Sequence, residues 1–158
     1  MDSTRVSAAS LVLTLFVACT RAQDKEDFAA MQTRGAHVMG VNQYTSAHVF
    51  EDLPDGGRVV LERADAADTA DIKTIRAHMR EIAAAFTAGD FAKPFAVHAQ
   101  TVPGTDVLAQ KRGAIRYEVR DLPRGGEVRI RTTDATAIAA IHEFLAFQRS
   151  AHHAAAHE

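Results

Sequence analysis

Tryptophan is absent from these 158 residues, tyrosine occurs twice, and cysteine once, at Cys19. One thiol cannot build a disulfide framework, so stability must come from packing, and a CxxCH attachment of covalent haem is excluded. The few aromatics, 6% of the chain, leave little to line a haem pocket of the non-covalent kind. The chain has no GxSxG elbow, P-loop or dinucleotide-binding glycine run, so neither nucleotide nor flavin is expected, and HExxH is also missing. A strong charge of one sign is lacking too. The formal charge is −2, with 18 basic and 20 acidic side chains interspersed. That balance argues against nucleic acid or an anionic membrane surface as the main partner.

Long apolar runs are confined to the start. Met1–Arg5 is short and polar, and Val6–Ala18 carries Leu11, Val12, Leu13, Leu15, Phe16 and Val17. So short an N-terminal run reads as a secretory signal over residues 1–18 rather than as a membrane span. "FVAC" ends in Cys19 and resembles a bacterial lipobox, with cleavage before a lipidated Cys19; "TRAQ" offers ordinary cleavage after Ala22 instead. The expectation is an exported protein of the periplasm, or of the outer membrane as a lipoprotein, touching the membrane only through that anchor. Removing 18 or 22 of 158 residues leaves about 136–140, enough for one domain with a real core. Residues 19–38 are polar and mixed and are expected to be a tether with room for a turn of helix. Residues 39–152 then form the domain, and 153–158 a histidine-containing tail.

What is present is a repeat. "VFEDLPDGGRVVLERAD" at 49–65 returns as "EVRDLPRGGEVRIRTTD" at 118–134, 69 residues later. Proline followed by a glycine pair between apolar-alternating segments predicts a tight hairpin with positive φ at glycine. In the second copy Tyr117, Val119, Val128 and Ile130 alternate with Arg116, Glu118, Arg120, Glu127, Arg129 and Arg131. One face is therefore core, and the other a charged lattice expected to form cross-strand ion pairs. Each hairpin leads into an amphipathic helix. Ile72, Ile75, Met79, Ile82 and Phe86 mark the first, between a cap at Asp68 or Thr69 and Gly89. Ile138, Ile141 and Leu145 mark the second. Two β-β-α units predict an α+β fold, a four-stranded antiparallel sheet with two helices on one face. In the connector, "FAVHAQTV" reads as a short extra strand and "TDVLAQKR" as a helical turn.

Eight histidines supply the functional lead. His48 aligns with Tyr117 on the inward face, His78 flanks the first helix stripe, and His142 belongs to the second. His98 stands in the apolar "FAVHAQ", and Met39 precedes the first strand. His152, His153 and His157 suit the negative end of a helix dipole. For any single ring the plain reading is a core or boundary histidine hydrogen-bonded to backbone or carboxylate. Four elements each offering one inward imidazole point instead to a shared site, because buried imidazoles need partners. Imidazole is the commonest transition-metal ligand, and thioether from Met39 or Met79 favours copper, especially Cu(I). The acids Asp65, Asp68, Asp71 and Asp90 sit at helix ends, where capping accounts for them.

Several stretches resemble a family of small exported bacterial proteins, patterned Met-Gly-Phe with "HHF", then "IRxHL", "GDFxxPxxxH", "PG", a "GG" hairpin and "HxFLxFQIxDH". The matching pieces are "MGVNQYTSAHVF", "IRAHMREIAAAFTAGDFAKPFAVH", "VPG", "RGGEVRI" and "HEFLAFQRSAH", across about residues 39–152. The resemblance puts Met39, His48, His78, His98, His142 and His152 on pattern positions and implies no activity. Ala47 stands where the pattern has the first His of "HHF", Val41 where it has Phe, and the tail lacks Thr-Gly-Asp.

The leading functional expectation is a cell-envelope protein that binds a transition-metal ion, copper before zinc, through His48, His98 and His142 with His78 or Met39. Two others stand beside it. One is a metal-free binding or interaction module, with a small ligand or an unnamed protein as partner. The other is a hydrolase or lyase using His48 or His142 as general base. An enzymatic role is the weaker expectation.

Overall fold

Both Pro-x-Gly-Gly segments reverse the chain. In the computed structural model, which describes residues 25–154, β1 (Ser46–Leu53) and β2 (Gly56–Arg63) flank Pro54-Asp55. Likewise β3 (Arg116–Leu122) and β4 (Gly125–Arg131) flank Pro123-Arg124. The expected positive φ occurs in the first hairpin, where Gly56 has φ 138°; Gly125 lies outside the left-handed region. The apolar leader, Cys19 and His157 lie outside the described residues.

The two hairpins join through their second strands into one antiparallel sheet of order β1-β2-β4-β3. Val59 faces Val128 at the middle of the β2–β4 pair, and Gly56↔Arg131 mirrors Glu62↔Gly125. Shifting one strand by the 69-residue repeat thus reproduces the other, as a duplication related by a local two-fold requires. Around the sheet lie α1 over residues 25–39, α2 (Thr69–Ala88), α3 (Ala92–His98), α4 (Thr105–Gln110) and α5 (Ala135–Ala151). Asp68 and Asp134 cap α2 and α5 by accepting from the backbone N–H of Asp71 and Ala137, and Gly89 ends α2 at φ 81°.

The helices cross over. α2 follows the first hairpin but packs on β3 and β4, whereas α5 follows the second and packs on β1 and β2. Their side chains share one core with the inward face of the sheet, including Phe50, Leu61, Ile75, Met79, Val128, Ile130, Ile141 and Leu145. The glycines let this happen. A Cβ on Gly57 would lie 2.3 Å from Leu145 Cδ1, and one on Gly126 would lie 3.1 Å from Met79 Cγ. Arginine clamps repeat the relation: Arg80 binds Asp121 at 2.8 Å, and Arg149 binds Asp52 at 2.8 and 2.9 Å. Each helix packs chiefly on the other unit's hairpin, so neither unit buries its core alone.

On the opposite face Arg120 pairs with Glu127 at 3.1 Å and Arg58 with both Glu127 and Glu51, the cross-strand lattice that the alternation predicts. One expected element is corrected, the short strand of the connector, and two others are made more specific. Residues 25–38, expected to be a tether with room for a turn of helix, form most of α1, with Met31 and Met39 buried and Arg34 Nε donating to Val97 O at 2.7 Å. "FAVHAQTV" begins in helix α3, because Asp90 Oδ1 accepts from Ala92 N–H and Pro94 falls in the first turn, where no helical N–H is required. Val119 faces Val128 on the inward side, as the alternation predicts, but is 36% exposed because β3 is an outer strand. Among the described residues, no helix is long and apolar enough to cross a membrane.

Candidate metal centre

His48 lies on the inward face of β1 two residues before Phe50, and their rings stack 5.5 Å apart and 5° from parallel. β1 is an outer strand, so the His48 ring reaches the rim of the core rather than its middle. The last turn of α5 ends there. His152 brings its ring centroid to 4.8 Å from that of His48 and 5.1 Å from that of His98. His98 closes α3 and is buried, its Nε2 sitting 2.9 Å from Gln148 Oε1 one turn before His152. His78, buried on α2, completes the ring of imidazoles around a cavity of about 70 Å³.

The cavity walls explain the electrostatics. Met39, Met79, Phe50, Phe86 and Val97 line it beside the four imidazoles and Gln148; Lys93 contributes the charge, and among the described residues no Asp or Glu lines it. Burial therefore dominates each titration. It lowers His48 from 6.5 to about 4, with a further push from His78. His152 falls to about 3 through burial and then through His48, His98 and His153. Burial and Lys93 take His78 to about 4, with Glu81 opposing. His98 is also lowered by burial, against the opposing hydrogen bond to Gln148. All four rings are neutral near pH 7, which is the protonation state a metal ion requires.

The structure brings together His48, His78, His98 and Met39 of the expected set, and it sets His142 apart. His142 Nε2 lies 3.0 Å from Leu53 O and 2.9 Å from Gly56 O, across the base of the first turn. The repeat explains this position. Arg76 donates to Leu122 O and Gly125 O, the carbonyls 69 residues further on. Arg76 and His142, 66 residues apart, make matching ties from a helix to the other unit's turn, and His142 stays out of the shared site because it does not line the cavity. Among the described residues, the partners of His142 are the carbonyls of Leu53 and Gly56, and no carboxylate orients it as a general base.

His152, read from the sequence as part of the ragged end of the last helix, was not among the expected ligands. The helix runs to Ala151, and His152 N–H bonds Gln148 O, so the ring projects from the same side as Gln148 and Leu145. The three- and four-residue spacing Leu145–Gln148–His152 was the available signal. The exposed neighbour His153 turns away with φ 50° and stacks on Phe28 of α1, centroids 4.3 Å apart. Comparison with family models, with curated proteins and with solved structures returned no match. At about 70 Å³ the cavity is far below the roughly 300–1,000 Å³ of sites for drug-sized ligands, and haem does not fit it.

Proposed function

We propose that the protein binds a transition-metal ion, copper ahead of zinc, between His48, His98 and His152, with the Met39 thioether at hand. Export to the cell envelope, with or without a lipid at Cys19, belongs to the same proposal. The observation that carries it is the meeting of three neutral imidazoles from β1, α3 and α5 against a small apolar cavity. Among the described residues no three His, Cys, Asp or Glu side chains already surround one point as ligands. Binding therefore involves ring rotation, and His152 is well placed for it, being just past the end of its helix.

Metal should stabilise the fold by mass action, since the unfolded chain lacks the gathered ligands. At one hundred times the dissociation constant the gain is about 2.7 kcal/mol, or several degrees in melting temperature. The test is thermal melting of untagged protein with and without copper or zinc. His48→Ala and His152→Ala should remove the shift. His142→Ala should lower the metal-free melting point, through loss of its carbonyl tie, yet retain the shift. A shift that survives both His48→Ala and His152→Ala would refute the proposal.

A further inference from the structure

We infer that the ion selected by this cluster is monovalent and soft, of the Cu(I) or Ag(I) class, and that divalent ions are rejected. The inference rests on the metal-binding proposal and adds to it a charge and a ligand class. Its first support is the absence of any Asp or Glu from the cavity lining, where the charged group is the Lys93 ammonium, itself paired with Glu81 at 3.1 Å. An ion entering here meets neutral donors only. The cost of burying uncompensated charge rises with the square of that charge, so a divalent ion pays about four times the penalty of a monovalent one of equal radius. Carboxylate or thiolate ligands would offset that cost, and the lining has neither.

The donor set points the same way. Two thioethers, Met39 and Met79, line the cavity with the imidazoles, and thioether sulfur selects soft ions. Magnesium-like ions take oxygen ligands, and among the described residues the only side-chain oxygen in this lining is that of Gln148, already engaged with His98. A d10 monovalent ion is satisfied by two or three nitrogen and sulfur donors.

Ag(I), which is redox-inert, is the probe for the monovalent class and Zn(II) for the divalent. The mature, untagged protein in chloride-free buffer at pH 7 is titrated with each, following melting temperature and the histidine ring signals by NMR. Ag(I) should raise the melting temperature and move the His48, His98 and His152 resonances, binding at least tenfold tighter than Zn(II). Met39→Leu should weaken Ag(I) at least tenfold while leaving the metal-free melting temperature within about 2 °C, because Leu replaces Met at nearly constant volume. Equal or tighter Zn(II) binding that depends on His48 and His152 would overturn the inference and leave the metal proposal standing. If neither ion moves those ring signals, both fall.

Discussion

Gly125→Ala should abolish cooperative folding, and Gly113→Ala should scarcely register. A Cβ on Gly125 would lie 1.9 Å from Leu61 O and 2.9 Å from Glu62 Cα, both backbone atoms of the neighbouring central strand. Side chains can rotate out of such an overlap, but β2 cannot. Relief requires that β2 and β4 separate or slip, and the whole inward face is registered through that pair, with Val59 on Val128 and Leu61 on Gly126. A one-residue slip would turn Val128 and Ile130 outward. The loss should therefore exceed the roughly 1–3 kcal/mol of ordinary overpacking, a large part of the about 5–15 kcal/mol that holds a domain. Gly56→Ala, whose Cβ would meet Ile130 O at 2.3 Å, is the counterpart in the other unit. At Gly113 nothing lies within 4 Å of an added Cβ. Urea unfolding compares the three. A cooperative Gly125→Ala protein within about 1 kcal/mol of wild type would show that the central pair is looser than this geometry requires.

That pair also shows what could be read without coordinates. The repeated hairpin and its following helix were legible because their period and turn chemistry are local. Pro-x-Gly-Gly, the 69-residue interval and the isoleucine stripes each act over a few residues. The crossing of each helix onto the other hairpin was not legible, since nothing local says which sheet half a stripe will cover. This explains the histidines. His142 lies on an apolar stripe and so reads as inward, but the crossover carries it to the carbonyls at Leu53 and Gly56. His152 sits in an alanine-rich stretch that reads as a fraying end, yet the same crossover lays that end against β1 beside His48. α1 was hidden for a different reason. Its polar sequence offers few apolar residues, and Met31 and Met39 become buried only once the helix packs, Met39 at the cavity.

Acid should begin to destabilise the metal-free protein before its carboxylates titrate. His48, His78 and His152 are held at about 4, about 4 and about 3 in the folded state, chiefly by burial, against an ordinary imidazole value near 6.5. Because the folded values are the lower ones, the unfolded chain takes up protons first as the pH falls. Stability is thus fully present above about pH 6.5, declines from there, and the loss is complete once the pH has passed through the folded values near 4 and 3. A depression from 6.5 to about 4 corresponds to roughly 3 kcal/mol for one ring. The three do not add, since a first protonation that opens the cluster relieves the other rings. Even a single such term should lower the melting temperature by about 10 °C between pH 7 and pH 4.5. The N-cap aspartates Asp68 and Asp134 are held below the ordinary carboxylate range by their hydrogen bonds, so their contribution is lost in a more acid window. His48→Phe extends the stack on Phe50 and removes one buried base, so it should flatten the decline between pH 6.5 and 4.5 while leaving the steeper fall below pH 4. If the wild-type melting temperature is level from pH 7 to pH 4.5, the imidazoles are solvated in the native state and the cavity they surround is open to water.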